Sequence, residues 1–255
     1  MPSPRSSAGD PARGLELLWR DSAATSRRGP AQGLTVDAVV LTAIALADDE
    51  GLEAVTMRRV AEGLSVAAMT LYTYVPGKAE LLDLMLDTAY GGMSRTDTTG
   101  RSWRERLLAV AEENRALYEA HPWVASVSTV RPPLGPGVMA KYEHELRALE
   151  SLGLGDVQMD ASLTFLLSFV HACARGALDT RAARQESATD DAQWWAANAP
   201  LLARVFDEKR YPTAARVGAA AGAAYGTAYS PEHAYTFGLE RLLDGLAPLI
   251  DAART

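Results

Sequence analysis

Apolar residues recur at three- and four-residue steps along most of this chain, and each such run predicts an amphipathic helix. Val36, Val39, Val40, Ala43, Leu46 and Ala47 mark a first helix from Thr35 to Asp49. The stretch 56–78, TMRRVAEGLSVAAMTLYTYVPGK, then reads as two short helices joined by a tight turn, the pattern of a helix-turn-helix. Thr56 suits the N-cap of the first, Val55 and Val60 form a hydrophobic staple, and Arg58 and Arg59 face outward. In the second, Val66 and Leu71 point to the core. That phase leaves Ala68, Met69, Thr70, Tyr72, Thr73 and Tyr74 for a groove, where their methyls, hydroxyls and rings suit phosphate and base-edge contacts. A further helix from Gly77 to Tyr90 carries Leu81, Leu82, Leu84, Met85 and Leu86. It is apolar on most sides, so it is expected to be buried between two domains, with Gly91-Gly92 ending it.

Beyond that point the punctuation predicts helices over 102–120, a short piece after Pro122, and helices over 137–152, 156–184 and 231–251. The long 156–184 helix carries one stripe of Leu163, Leu166, Leu167, Val170, Ala174, Ala177 and Leu178. The last carries Tyr235, Leu239, Leu242, Leu246 and Leu249 at alternating steps of four and three, a short heptad-like seam. Either stripe could be ordinary packing inside one chain. Together they offer more apolar edge than one modest core readily uses. Gly218, Gly222 and Gly226 mark a mobile connection or a close helix contact. Residues 1–33, rich in Pro, Ser and Arg, read as a flexible arm with a short Leu15–Trp19 patch; Arg27 and Arg28 near its end either touch phosphate or belong to a solvated tail.

Composition supports an all-α protein: 48% of the residues are hydrophobic, Ala is abundant and only four are Phe. The net charge of −7 argues against a generally basic nucleic-acid coat, but Arg58, Arg59 and Lys78 against Glu62 make a local basic patch within 56–78. Cys173 is the only cysteine, so there is no intramolecular disulfide framework, and a reducing cytoplasm fits. No secretory signal is visible, and the charge-free 217–231 stretch falls short of a membrane span. Enzyme motifs are weak: Gly77-Lys78 lacks the upstream Gly of a phosphate-cradling loop, and there is no GxSxG, HExxH or paired-cysteine spacing. The acidic run Asp48-Asp49-Glu50 reads most simply as a solvated surface. Neither a metal nor a cofactor is expected.

Several signatures stand in order: Asp49-Glu50-Gly51-Leu52, Thr56-Met57-Arg58-Arg59-Val60-Ala61, Thr70-Leu71-Tyr72, and Tyr74-Val75-Pro76-Gly77-Lys78 before Glu80-Leu81-Leu82. In these residues the chain resembles the DNA-binding domain of the TetR/AcrR family of one-component bacterial regulators, over 34–83. Two departures concern the turn: Ser65 stands where the family usually has Gly, and Ala67 where a capping Ser or Thr is common. The resemblance implies a flexible arm over 1–33, a helix-turn-helix domain over 34–80 and a helical ligand-binding and dimerisation domain over 81–255. It implies operator contacts from Thr56, Arg58, Ala68, Met69, Thr70, Tyr72, Thr73, Tyr74 and Lys78. It also implies a four-helix homodimer interface through Leu163, Leu167, Val170, Leu239, Leu242, Leu246 and Leu249. Between these parts, Trp103, Tyr118, Trp123, Met139, Tyr142, Phe165, Phe169 and His171 would line a chamber for a small amphipathic inducer, although any one aromatic is more simply core packing. The function so implied is that of a repressor that leaves an inverted-repeat operator when the inducer binds. The alternative is a helical small-molecule enzyme or sequestering protein with a vestigial helix-turn-helix.

Overall fold

The computed structural model describes residues 4–20, 34–186, 190–227 and 229–253. Arg27 and Arg28 lie outside the described residues. Within them are eleven α-helices: α1 (Pro11–Leu18), α2 (Val36–Glu50), α3 (Met57–Gly63), α4 (Ala68–Leu71), α5 (Lys78–Gly91), α6 (Trp103–Ala120), α7 (Pro136–Arg147), α8 (Asp156–Glu186), α9 (Asp191–Val205), α10 (Pro212–Tyr225) and α11 (Pro231–Ala253). Short 3-10 turns stand at Leu52–Ala54 and Pro122–Ser126. The chain divides into two compact units, one of residues 1–171 with 246–255 and the other of residues 172–245.

Helix starts follow the capping signals. Thr35 Oγ1 accepts from Ala38 N–H at 3.0 Å, Thr56 Oγ1 accepts from Arg59 N–H at 3.2 Å, and Ser102 with Glu105 closes a reciprocal capping box on α6. Each such cap is worth about 1 kcal/mol. The core of the first unit forms where the predicted apolar phases meet: Val39, Val40 and Ala43 of α2, Val60 and Ala61 of α3, Leu71, Val75, and Leu81, Leu84, Met85 and Leu86 of α5 are all buried.

α5 packs against α2, α1 and α7. Its crossing with α7 is close enough that a Cβ on Gly137 would overlap the Asp87 carbonyl oxygen, and one on Gly135 would overlap the Asp87 carboxylate. The Pro/Gly-rich 131–137 loop is thus the seat of a tight helix contact, with Val138 N–H donating to Asp87 Oδ1 at 2.9 Å. Burial holds the Asp83 and Asp87 carboxyls above their usual range.

Two sequence expectations are corrected here. Residues 4–20 of the arm have a definite course: α1 forms behind its Asp10 N-cap, and Leu18 joins the core cluster. The 212–225 region is a helix that buries none of its residues, so no apolar stripe announced it; Gly226 ends it in the left-handed region at φ 65°. In the second unit, Tyr225, His233 and Phe237 form a ladder of ring contacts, with centroids 4.6 and 6.0 Å apart. α8 alone among the described helices is long and apolar enough to cross a membrane, yet its Leu163, Leu166 and Val170 stripe is buried in the fold.

The α3–α4 turn answers the question that Ser65 raised. Val66 N–H reaches Ala61 O and Ser65 N–H reaches Glu62 O, both at 3.0 Å, with Ser65 left-handed at φ 56°. This is the Schellman arrangement with Ser where Gly is usual. A left-handed non-glycine costs about 1–2 kcal/mol, while Gly loses about 0.5–1 kcal/mol more chain entropy on folding. Ser65→Gly is therefore expected to stabilise by about 0.5 kcal/mol. A denaturant midpoint that stays level or falls would show that the turn holds no such strain.

Candidate nucleic-acid interface and effector site

The groove-facing strip is built by anchoring one side of a short helix. Leu71 and Val75 are fully buried, which turns Met69 (75% exposed), Thr70, Tyr72 (43% exposed) and Thr73 outward, with Lys78 exposed at the start of α5. Ala68 and Tyr74 are half-buried against the core and sit behind this strip. Ala67 provides no side-chain cap, and the helical turn of α4 is continued by Thr73 Oγ1, which donates to Thr70 O at 2.7 Å.

On α3 the two arginines differ. Arg59 is clamped by Glu50 through two 2.6 Å hydrogen bonds, which hold the Glu50 carboxyl below its usual range. Among the described residues Arg58 makes only an exposed i,i+4 pair with Glu62 at 2.9 Å. Such a pair is worth a few tenths of a kcal/mol, so Arg58 can leave it for a phosphate at little cost. The outward polar surface is thus Thr56, Arg58, Thr70, Tyr72, Thr73 and Lys78, with Met69 as its apolar member.

The aromatic residues expected to line a chamber do not all converge. Tyr118 and His171 meet edge-on with centroids 5.7 Å apart, and His171 Nε2 lies 3.0 Å from Ala125 O. Phe169 and Trp103 are half-buried. Met139 and Tyr142 are exposed on α7, where the Tyr142 hydroxyl donates to Asp160 at 2.8 Å, and Phe165 is 54% exposed on α8. Trp123 is buried and donates its indole N–H to Asp48 Oδ1 at 2.8 Å; His121 Nδ1 reaches the same oxygen at 2.8 Å. Asp48 is therefore a fastening point between α2 and the 121–126 segment, more than a solvated surface.

Sequence reading missed a buried polar cluster beside Tyr118. Asn114 Nδ2 donates to Glu145 Oε1 at 2.6 Å, and Lys141 Nζ donates to both Glu145 oxygens at 2.6 and 2.8 Å. Lys141 Nζ also stands 5.5 Å from the centroid of the Tyr90 ring, at the end of α5. His144 Nε2 and Thr96 N–H converge on Glu113 at 2.8 and 2.6 Å. The Asn114 side-chain oxygen is buried and has no hydrogen-bond partner among the described residues. Burial, reinforced by the nearby Glu145 charge, pushes the Tyr90 phenol well above its ordinary range, and burial does the same to Tyr118. The signal was available: Leu107, Val110, Ala111 and Leu117 set the core phase of α6, and Asn114 occupies a position in that phase.

The helices assigned to dimerisation present two faces. Leu163, Val170, Leu239, Leu242 and Leu246 are buried within the chain itself and Leu167 is half-buried, while Leu249, Phe165 and Phe237 are exposed.

Comparison with known proteins agrees with this anatomy. Residues 39–85 match bacterial regulatory proteins of the tetR family, and residues 96–250 match the tetracyclin repressor-like C-terminal domain. The HTH-type transcriptional repressor DrrR1 of Streptomyces coeruleorubidus is 40% identical over 250 residues, which span 98% of this chain and 90% of that protein. Crystallised ActR of Streptomyces coelicolor in its apo form superposes with a TM-score of 0.70 at 28% identity, covering 86% of this chain and 98% of ActR. Its complex with actinorhodin superposes with a TM-score of 0.70 at 27% identity, over 85% and 96% of the two chains. A capped helix-turn-helix with an outward strip, joined through α5 to a helical body that matches the tetracyclin repressor-like domain, makes this chain a member of the TetR family of bacterial transcriptional regulators.

Proposed function

We propose that the protein is a cytoplasmic repressor that binds an inverted-repeat operator as a homodimer and is released by a small amphipathic organic molecule. The observation that carries this reading is the outward strip from Met69 to Lys78, fixed from behind by the fully buried Leu71 and Val75. A strip of hydroxyls and one exposed phenol that ends on the Lys78 ammonium, on an acidic body, is suited to a groove of a duplex. DrrR1 supports the sign of regulation by its name, and ActR supports ligand control through its complex with actinorhodin.

Dimerisation follows from the geometry of an inverted repeat, which needs two reading heads about 34–36 Å apart. α8 and α11 contribute exposed Phe165, Phe237 and Leu249 to such an association. Because Leu242 and Leu246 are already buried, charges placed there would test folding before they tested the dimer.

The inducer would enter beside Tyr118, Phe169 and His171. Two connections lead from there to the head: Tyr90 at the end of α5, over Lys141, and the Asp48 oxygen shared by His121 and Trp123. A ligand shifts operator affinity only by binding the released form better, and about 1–3 kcal/mol of such preference gives roughly 5–150-fold.

The test begins with duplexes that the protein itself selects from a random pool. Operator release is then titrated with actinorhodin and with a library of amphipathic aromatic compounds. Phe169→Ala and His171→Ala are expected to raise the concentration of any releasing compound needed for half-release about tenfold or more, while operator affinity without that compound stays within about twofold. Wild-type responses in both variants would place the inducer elsewhere, and failure to select any duplex would refute DNA-binding regulation.

A further inference from the structure

Residues 4–20 lie across three separate parts of the first unit and bond to each. Toward the 128–134 loop, Ser128 N–H donates to Pro4 O at 2.9 Å and Ser6 N–H to Ser128 O at 3.2 Å. The buried Ser6 hydroxyl reaches Arg131 O at 2.6 Å, and the Trp19 indole N–H donates to Leu134 O at 2.7 Å. Toward α5, Ser7 N–H donates to Asp83 Oδ1 at 2.8 Å and Asp10 N–H to Glu80 Oε1 at 3.2 Å. Toward the DNA-binding head, the Arg20 guanidinium pairs with Asp37 of α2, and Leu18 enters the core shared by α2 and α5. Gly9 passes so close to α5 that a Cβ there would overlap the Glu80 carboxylate. The acidic face of α5 is thus satisfied by backbone N–H groups from a segment some 70 residues away in sequence.

We infer that this segment is a clasp that holds the reading head in one pose on the helical body, and so sets how well two heads engage one operator. The inference rests on the proposed two-headed binding, and takes α5, which carries Tyr90 beside the effector region, as the element that an inducer moves. If the head could rock about α5, each head would still fit a half-site, but the pair would have to be brought into register on a full repeat. That loss falls on two-headed binding alone. Any motion of α5 must also break the Glu80 and Asp83 bonds to the clasp, which makes the clasp part of the resistance that an inducer has to overcome.

The clasp is tested in the full chain with Gly9→Val, which displaces the Glu80 carboxylate from its bond with Asp10 N–H, and with Trp19→Ala, which removes its anchor on Leu134. Each is compared with Trp19→Phe, which keeps the ring and loses only the N–H donor. Two readouts are taken: amide hydrogen exchange of residues 78–91, and affinity for the selected inverted repeat and for its isolated half-site. We expect Gly9→Val and Trp19→Ala to speed exchange over 78–91 and to lower affinity for the full repeat by about tenfold, within the usual range of such coupling, with half-site affinity unchanged. Trp19→Phe should show a smaller effect in the same direction. Unchanged or tighter binding to the full repeat would overturn the inference, as would an equal loss on the half-site, which would mean that the segment touches DNA or supports the head's own fold. Should the unmodified protein fail to prefer the full repeat, the proposed function falls, and exchange over 78–91 alone then decides the clasp: faster exchange in both variants sustains it and wild-type exchange refutes it.

Discussion

Replacing Tyr72 and Lys78 together by Ala should lower affinity for the selected operator by on the order of a hundredfold, about 3 kcal/mol, without unfolding the head. Both side chains are exposed, and the residues that hold the strip in place, Leu71 and Val75, are untouched. The two losses differ in kind. A base-edge contact by the Tyr72 phenol would discriminate among sequences and cost about 1–3 kcal/mol. A phosphate contact by the Lys78 ammonium would add affinity for every duplex, and its removal should lower the slope of log K against log salt by about 0.9. Salt titrations on operator and scrambled duplexes with each single variant separate the two. Operator affinity within a few-fold of wild type in the folded double variant would remove the strip from the interface.

The second large effect concerns stability. Lys141→Met leaves the Glu145 carboxylate, whose side chain is only 2% exposed, with Asn114 as its sole remaining partner in the cluster just described. Removing one member of a buried ion pair typically costs about 3–5 kcal/mol, and the 13% exposure of Lys141 places this case near the lower figure, about 3 kcal/mol. The double replacement Lys141→Met with Glu145→Leu removes both charges and should recover most of that loss, because an apolar pair of similar volume carries no desolvation penalty. Denaturation of Lys141→Met, of Glu145→Leu alone and of the double variant closes the cycle. A single variant as stable as wild type would mean that water reaches Glu145. A double variant no more stable than the single would mean that packing, and not charge, is at stake.

The head was legible because its signals are local. Thr35 and Thr56 announce helix starts through bonds spanning three residues, as Ser102 does in the body, and the apolar phase of α2, α3 and α5 survives in the buried core. What escaped is non-local or aperiodic. The clasp is held by backbone N–H groups of Ser7 and Asp10, which carry no residue-type signature, on acids that the sequence separates by dozens of positions. α10 buries no residue, so its helix has no stripe to read.

The effector region was half visible for a related reason. Aromatic residues can be counted, but periodicity does not say which partner a ring will meet. Trp123 went to Asp48, the Tyr142 hydroxyl to Asp160, and Tyr118 and His171 came together. The seam of α11 teaches the same lesson. Heptad-like spacing at Leu239, Leu242 and Leu246 shows that these residues are buried, without showing whether the partner is this chain or another.

The central claim, that two copies of the Met69–Lys78 strip read one inverted repeat, is tested most directly by a hydroxyl-radical footprint of the wild-type protein on the duplex it selects, with the bound stoichiometry measured on the same sample. The account predicts two chains per duplex and two symmetry-related protected patches centred about 34–36 Å apart, or a multiple of that spacing. A single asymmetric patch bound by one chain, or protection that does not depend on sequence, would contradict it.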